Sequence, residues 1–237
     1  MNRSFLITAM AAGCACALAI TAQTGGTGGV PKGVQKIEIA VERKHGTRVE
    51  RMDPAFVFDT GDLVRFRFRL SFNGYLYVVN QSSSGKFAQL FPKDETGLDN
   101  RVEHDREYVL PASDTGWFRV QDPAGYEMVY WIVSPSKLPD HSPASLTSPA
   151  IPRPDQLSPR CDDTIFKARG ECLDVTAGPK AVTDISSLPA DMLGGANIQP
   201  RDMDMVKSNK AITVMGQSDG DAPFIYVFRL AHRAVKK

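Results

Sequence analysis

The stretch LVRFRFRLSFNGYLYVVN, from Leu63 to Asn80, contains two extended segments with a turn signal between them. In the first segment apolar residues alternate with arginines, and this period of two is typical of a strand with one buried face. Asn73-Gly74 interrupts the pattern, and the apolar run from Tyr75 to Val79 follows at once. Because both turn residues tolerate the positive φ of a type I′ turn, the stretch predicts a β-hairpin.

The same signals recur along the rest of the chain. Alternating or wholly apolar runs bounded by turn residues predict further strands at 34–43, 86–91, 117–120, 126–133, 211–215 and 223–230. The run at 126–133 is apolar on both faces, which is typical of a central strand that is covered on both sides. Short strands at intervals of about ten residues favour an antiparallel sandwich or barrel. We therefore predict an all-β fold, an antiparallel immunoglobulin-like β-sandwich with a long Pro-rich, disulfide-containing irregular insertion before the last strands.

Composition divides the chain into segments of different character. The predicted segments are a signal peptide at 1–22, a Gly-rich spacer at 23–33, a β-sandwich domain at 34–134, a Pro-rich linker and irregular excursion at 135–209, C-terminal strands completing the sandwich at 210–231, and a basic tail at 232–237. Prolines at high density prevent regular backbone hydrogen bonding, so the excursion is predicted to begin as an extended connector. An excursion of this length is typically functional, a cover for another surface, or disordered.

The N-terminus begins with a short positive segment and continues without charge. Residues 4–22 contain no charged side chain and end in small residues, which is typical of a secretory signal peptide. An uncleaved anchor is the main alternative, and Ala11-Ala12-Gly13-Cys14 also resembles a bacterial lipobox, which would give an outer-membrane lipoprotein anchored at Cys14. We expect an exported protein of the periplasm or extracellular space with no transmembrane span in its mature form.

The net charge restricts the classes of binding partner, and the cysteines indicate the redox state of the compartment in which the protein folds. The 28 Lys and Arg residues are balanced by 27 Asp and Glu residues, so no overall field would attract nucleic acid or an anionic bilayer. Cys161 and Cys172 remain outside the predicted signal, and an even pair in an exported chain indicates a disulfide. A metal site is the alternative, with Asp162, Asp163 and Glu171 nearby, but neither a Cys-x-x-Cys motif nor a paired-His spacing supports it.

A series of short motifs runs in a fixed order between Phe56 and Pro135. The motifs are Gly61-Asp62, Gly74 to Asn80, Ser84-Gly85-Lys86, Leu90-Phe91-Pro92, Asp99 to Val102, Tyr108 to Pro111 and Gly125-Tyr126-Glu127. In this order the segment resembles the bacterial family called domain of unknown function 4384. The resemblance implies an exported all-β module, often appended to envelope proteins, kinases or peptidase-like chains, with no assigned catalysis and no active-site residues. The Pro-rich and disulfide-containing addition departs from the family's pattern.

Several short segments were compared with known phosphate-binding and metal-binding patterns. Ser82 to Lys86 lacks the leading glycine of a phosphate loop, so it is interpreted as a turn. The four histidines match no zinc spacing and are interpreted as surface residues: His45, His104, His141 and His232. The acidic loop at 94–100 could hold calcium but lacks the full spacing of a calcium loop, which favours a solvated turn. We predict no catalytic residue, metal or cofactor.

Arg65, Arg67 and Arg69 form a basic stripe on one face of the first predicted strand. The stripe is a candidate binding surface for an anion, a glycan or a lipid headgroup. The alternative is that Glu38 and Glu42, on a neighbouring strand, form cross-strand ion pairs with these arginines. The same alternation of charge also protects strand edges from aggregation.

Tyr75, Tyr77 and Tyr130 are the second candidate binding surface. If Leu76 and Val78 point into the core, these tyrosines point outward and form a patch that suits partner binding, because tyrosine offers a large contact area at low entropic cost. The alternative is that the excursion folds back and covers the tyrosines, since an apolar outer face needs a cover.

These observations predict an exported, non-catalytic module of the bacterial cell envelope that binds a protein or glycan partner. One alternative is a hydrolase-type enzyme with a carboxylate site between the sandwich and the excursion, using Asp162, Asp163 or Glu171. The other is a structural envelope component that self-associates.

Overall fold

The structure is a computed structural model that describes residues 33–113, 115–138, 159–162, 171–182, 188, 199–218 and 221–234. The predicted signal peptide, Cys14 and the predicted spacer up to residue 32 lie outside the described residues.

The described residues form fourteen strands and no helix, so no described helix is long and apolar enough to cross a membrane. In chain order the strands are β1 (Val34–His45), β2 (Arg48–Met52), β3 (Val57–Asp59), β4 (Leu63–Leu70), β5 (Gly74–Gln81), β6 (Phe87–Phe91), β7 (Arg101–Val102), β8 (Glu107–Leu110), β9 (Phe118–Arg119), β10 (Gly125–Ser134), β11 (Gly178–Ala181), β12 (Asp204–Ser208), β13 (Ala211–Gln217) and β14 (Phe224–Arg233).

The strands form two seven-stranded sheets. The first sheet has the order β12-β13-β1-β4-β8, with β2 paired to β1 and β9 paired to β4. The second has the order β11-β14-β10-β5-β6, with β3 paired to β14 and β7 paired to β5. The pair of β3 with β14 is parallel, whereas the other strand pairs among the described residues are antiparallel. The predicted all-β architecture of two packed sheets is confirmed.

Alternate residues of both sheets meet in one hydrophobic core between the layers. The first sheet contributes Ile37, Ile39, Val41, Phe66, Phe68, Leu70 and Val214. The second sheet contributes Leu76, Val78, Val129, Trp131, Val133, Phe224, Tyr226 and Phe228. Because successive side chains of a strand point to opposite faces, the period-two pattern of the sequence places these residues on the inner faces.

The predicted hairpin at Asn73-Gly74 is wrong. β4 and β5 lie in different sheets and do not pair, and neither Asn73 nor Gly74 has a positive φ. Leu70 and Leu76 are both fully buried and face the interlayer core from opposite sides. Since a type I′ turn would place the two strands side by side in one sheet, this connection carries the chain from one layer to the other instead.

Gly74 is required here for close approach rather than for a turn. A Cβ atom at this position would lie 2.8 Å from the carbonyl oxygen of Ser134 and 3.3 Å from the Phe72 ring. The contact with Ser134 involves backbone that cannot move aside, so a larger residue would separate β5 from β10 at this point.

The outer face of the second sheet carries its own hydrophobic cluster. Strands β5, β10 and β14 contribute Tyr77, Val79, Met128, Tyr130, Ile132, Ile225 and Val227, and the predicted excursion contributes Leu138, Val182 and Leu188. The prediction that β10 is covered on both sides is therefore confirmed, because Trp131 is buried on its inner face and Ile132 on its outer face.

Two predicted boundaries are corrected. The excursion at 135–209 is not irregular throughout, because β11 pairs with β14 and β12 pairs with β13. The basic tail does not begin at residue 232, because β14 continues to Arg233 and His232 is fully buried. The β11 and β14 differences arise from pairing with strands that are distant in sequence, which local composition does not report. β12 instead forms a local hairpin with β13, in which the turn residues Asn209 and Lys210 both have a positive φ.

The predicted disulfide between Cys161 and Cys172 is confirmed, with a Cα–Cα distance of 4.8 Å. Asp174 is fully buried beside the disulfide. It accepts a hydrogen bond from the Tyr126 hydroxyl and another, at 3.0 Å, from the Arg160 backbone amide. These bonds anchor the disulfide-containing segment to the second sheet. Burial alone would raise the pKa of the Asp174 carboxyl, but its hydrogen bonds outweigh burial and hold the pKa below its usual range.

Candidate functional site

The three predicted arginines lie on the outer face of the first sheet and form ion pairs with β1. Glu42 Oε2 lies 2.7 Å from Arg65 Nε, and Glu42 Oε1 lies 2.6 Å from Arg67 Nε. Glu38 Oε2 lies 2.7 Å from Arg69 Nη2. The cross-strand ion pairs weighed against the binding interpretation are therefore confirmed.

The pairs around Glu42 are largely shielded from water. Glu42 is only 5% exposed, although the sequence places it on the outward face of its strand. Burial raises the pKa of the Glu42 carboxyl, but hydrogen bonds and charge from Arg67 and Arg65 outweigh burial and leave it below its usual range. Arg65 also lies 4.5 Å from the centre of the Trp117 ring. The ion pairs of Glu42 with Arg65 and Arg67, here called the Glu42 network, thus hold β1 against β4.

The three predicted tyrosines do not form an open patch. Tyr130 is buried in the outer cluster of the second sheet, and Tyr77 is half-buried there with its hydroxyl accepting the Leu138 amide at 3.0 Å. Tyr75 is half-buried outside that cluster and lies opposite Ser134. The alternative, that the excursion folds back over these residues, is confirmed for Tyr77 and Tyr130.

Two of the three carboxylates of the enzyme alternative lie at the surface. Asp162 and Glu171 are exposed, and Asp162 Oδ2 accepts the Val175 amide at 3.0 Å. Asp163 lies outside the described residues. The acidic loop at 94–100 is engaged locally, since Asp99 Oδ1 accepts the Arg101 amide at 3.0 Å. In the described part of the chain, no group of three or more His, Cys, Asp or Glu residues is placed to hold a metal ion.

A cleft of about 560 Å³ opens between the two sheets, with β9 on one side and β6 on the other. Its inner lining is apolar and comes from buried core residues, which include Phe66, Val129 and Leu230. Its outer lining is polar and contains Ser82, Ser83, Ser84, Lys86, Arg119 and Asp122. Trp117 and Phe118 add aromatic surface. This combination of an apolar interior with a few polar groups is typical of a ligand site, and the volume is within the usual range.

The turn from Ser82 to Lys86 joins β5 to β6 at the cleft. The Ser82 amide donates to the Lys86 carbonyl at 2.8 Å, the Gly85 amide donates to the Ser82 carbonyl at 2.7 Å, and Gly85 has a φ of 84°. The interpretation of this segment as a turn, not as a phosphate loop, is confirmed.

A row of polar side chains continues the inner face of the second sheet beyond the apolar core. Asn80 of β5, Glu127 of β10 and His232 of β14 form this polar row, and Asn80 and Glu127 line the cleft. Asn80 Nδ2 donates to Glu127 Oε2 at 2.6 Å, the Ser83 amide donates to Glu127 Oε1 at 3.1 Å, and His232 Nε2 lies 3.4 Å from Glu127 Oε1.

The polar row has more hydrogen-bonding capacity than the described residues use. Asn80 Oδ1 and Nδ1 of the fully buried His232 have no hydrogen-bond partner among the described residues, whereas His232 Nε2 lies against Glu127. Burial raises the pKa of the Glu127 carboxyl, but the donors around it outweigh burial and leave the pKa below its usual range. Glu127 therefore stays ionised at neutral pH.

Sequence reasoning missed the polar row, although a signal was present. Asn80 follows Leu76 and Val78 at a spacing of two, and Glu127 precedes Val129 at the same spacing. Polar residues at the inward positions of a strand are candidates for a site because burial of a polar group is costly. His232 was placed in the tail and on the surface, and both interpretations are wrong.

Acid is expected to destabilise the protein through Glu42, Glu127 and Asp174. Their pKa values are lowered in the folded protein, so each carboxylate contributes stability above its unfolded pKa of about 4, and this contribution is lost as the pH falls through the folded value. Urea denaturation at pH 7, 5, 4 and 3 should show a midpoint that falls below about pH 4. Glu127→Gln removes one titrating group, so its midpoint should fall less steeply. Equal midpoints at pH 7 and pH 3 would contradict the expectation.

The fold and the cleft define a two-layer all-β module with a candidate ligand site between its sheets. Residues 57–137 match the family model of a domain of unknown function, DUF4384, which confirms the resemblance predicted from the sequence. All lining residues of the cleft except Leu230 lie within the matched segment. No curated protein and no solved structure matches the chain.

Proposed function

We propose that the protein is an exported, non-catalytic β-sandwich module of the bacterial cell envelope that binds a protein or glycan partner in the interlayer cleft. The observation that carries the proposal is the cleft itself. It combines an apolar interior with an ionised carboxylate, Glu127, and with exposed polar side chains at its mouth, such as Lys86 and Asp122.

Two further observations favour the cleft over the arginine stripe and over the tyrosine surface as the binding site. The arginine stripe is paired with glutamates of β1. The outer face that carries Tyr77 and Tyr130 is covered by Leu138, Val182 and Leu188. The proposal of export rests on the signal-like N-terminus and on the disulfide, which is typical of oxidising compartments. Mass spectrometry of the protein isolated from its native cells, with and without reductant, would establish cleavage, lipidation at Cys14 and the disulfide together.

Calorimetric titration tests binding in the cleft. The purified protein is titrated with envelope glycan fragments and with single components fractionated from envelope protein extracts. We expect Glu127→Gln to weaken binding of the recognised partner about tenfold or more, because a charged hydrogen-bond acceptor is lost. Lys86→Ala, at an exposed position of the outer lining, should also weaken binding without affecting the fold. Glu50→Gln, on β2 away from the cleft, is the matched control and should bind normally.

Circular dichroism of each variant separates loss of binding from loss of folding. The proposal would be refuted if no component bound, or if folded Glu127→Gln and Glu50→Gln bound a partner equally well.

A further inference from the structure

The strands at the ends of the two sheets differ in how they are protected against pairing with another chain. Edge strands usually carry charged residues or proline, which discourage such pairing. β12 contains Asp204 and Lys207, β8 contains Glu107, and β11 contains Pro179 and Lys180. β6 has the sequence FAQLF, with neither charge nor proline. Among the described strands that end the two sheets, β6 is therefore the one without such protection.

Among the described residues, only part of β6 has a regular edge with no strand paired to it. Phe87, Ala88 and Gln89 pair regularly with β5, and the register shifts beyond Gln89. The Leu90 carbonyl accepts the Thr96 hydroxyl, so this group is already occupied. A register shift of this kind limits pairing with a further strand. The residues from Phe87 to Gln89 are therefore called the open segment.

This open segment lies beside the cleft. Ala88 is exposed and lines the cleft together with the half-buried Leu90, and Lys86 immediately precedes the strand. A strand added to β6 would continue the second sheet, and alternate side chains of that strand would point toward the same interlayer space. An apolar side chain would there meet the interior of the cleft at Phe66 and Val129.

We infer that the cleft binds an extended peptide segment of a partner protein, which adds a strand to the free edge of β6 and inserts an apolar side chain between the sheets. This inference rests on the proposed function and selects a peptide over a glycan. A peptide backbone offers donors and acceptors at the spacing of a strand, and side chains at alternate positions can occupy the cleft. The outer lining carries both signs of charge, in Lys86, Arg119 and Asp122, which suits charged side chains flanking the apolar anchor.

The probe is a phage-displayed library of random dodecapeptides, selected on the full, purified protein. Ala88→Arg places a charged side chain at the edge and in the cleft, and should weaken binding of the selected peptides about tenfold or more. The matched control is Ala112→Arg, another exposed alanine, which lines a separate cavity of about 360 Å³ and should leave binding unchanged. N-methylation of alternate peptide residues should abolish binding because it removes backbone donors.

Amide hydrogen exchange then tests the pairing directly. Saturating peptide should slow exchange within Phe87 to Gln89 about tenfold or more, because a paired edge exchanges only when the added strand leaves. Protection confined to other strands would overturn the inference, as would equal binding to Ala88→Arg and Ala112→Arg, or a selection that yields no peptide sensitive to Ala88→Arg.

Two other outcomes identify a different occupant. A dimer in light scattering that Ala88→Arg dissolves would assign the β6 edge to a second copy of this chain and overturn the inference. A glycan whose binding depends on Glu127 but does not protect β6 would also overturn it, while leaving the proposed function intact. Failure of the proposed function is distinct, because folded Glu127→Gln would then bind every partner normally.

Discussion

Truncation of Trp131 to alanine is expected to lower the free energy of unfolding by about 4 kcal/mol. The indole is fully buried between the sheets and is edge-on to Phe66 and Phe68, with ring centroids at 5.3 and 5.4 Å. It also stacks on Tyr226 at 6.0 Å. Removal of the ring therefore leaves a cavity where both layers meet. Urea denaturation followed by circular dichroism measures the loss.

Two control variants make the Trp131 result specific. Trp117→Ala, at the half-buried tryptophan beside the cleft, should cost less than Trp131→Ala because this ring is outside the core cluster. Trp131→Phe should recover much of the stability, since Trp131 Nε1 has no hydrogen-bond partner among the described residues and the indole donor is lost without penalty. A cost for Trp131→Ala below about 1 kcal/mol would contradict the packing of the two sheets around this residue.

Replacement of Glu42 by glutamine is expected to lower the free energy of unfolding by about 3 kcal/mol. Glu42 is 5% exposed and accepts Arg65 and Arg67 at 2.7 and 2.6 Å. Loss of its charge leaves the Arg65 guanidinium without a carboxylate partner among the described residues, while Arg67 keeps its pair with Glu107 at 2.5 Å. Removal of one partner from a buried ion pair is costly because the other charge remains desolvated.

The same strand supplies the control for Glu42. Glu38→Gln breaks the pair with Arg69, where both side chains are about half exposed, so its cost should be below about 1 kcal/mol. Combining Glu42→Gln with Arg65→Gln should recover part of the loss, because the charge left without a carboxylate partner is removed. Equal effects of Glu42→Gln and Glu38→Gln in urea denaturation would show that burial of the Glu42 network has no energetic consequence.

The two sheets expose different chemistry on their outer faces, and this difference explains why the side chains of both predicted surfaces make contacts within the protein. The outer face of the first sheet carries charged residues that pair across strands, as Glu42 does with Arg65 and Arg67, although Arg69 stays about half exposed. The outer face of the second sheet is apolar and is covered by residues such as Leu138 and Val182. The cleft lies at the side, between the layers.

Local alternation was sufficient to predict the longer strands and the direction of most of their side chains, whereas β11 and β12 lie in the stretch that was predicted to be irregular. The runs around β1, β4, β10 and β14 were recognised because side-chain direction in a strand depends only on position along that strand. The ion pairs between Glu38, Glu42 and the arginines followed from the same reasoning, since residues on one face of adjacent strands are neighbours. The disulfide followed from the number of cysteines.

The turn preference of Asn73-Gly74 predicted the wrong connection, because the burial of β4 and β5 on opposite sides of the core is the stronger constraint. Asn73-Gly74 has the composition of a hairpin, but pairing β4 with β5 in one sheet would remove the opposing layer on which both strands bury Leu70 and Leu76. The energy of burying two apolar faces against each other exceeds the preference of a dipeptide for one turn type.

By itself the sequence determined the longer strands, the direction of most of their side chains, the disulfide and the resemblance over the central segment, because each depends on nearby residues or on simple counting. Tertiary structure alone decided which strands pair, how the described part of the excursion covers the second sheet, and that Asn80, Glu127 and His232 meet beside one cleft. These three residues come from strands far apart in the chain, and the pairing of β5, β10 and β14 within the second sheet brings them together.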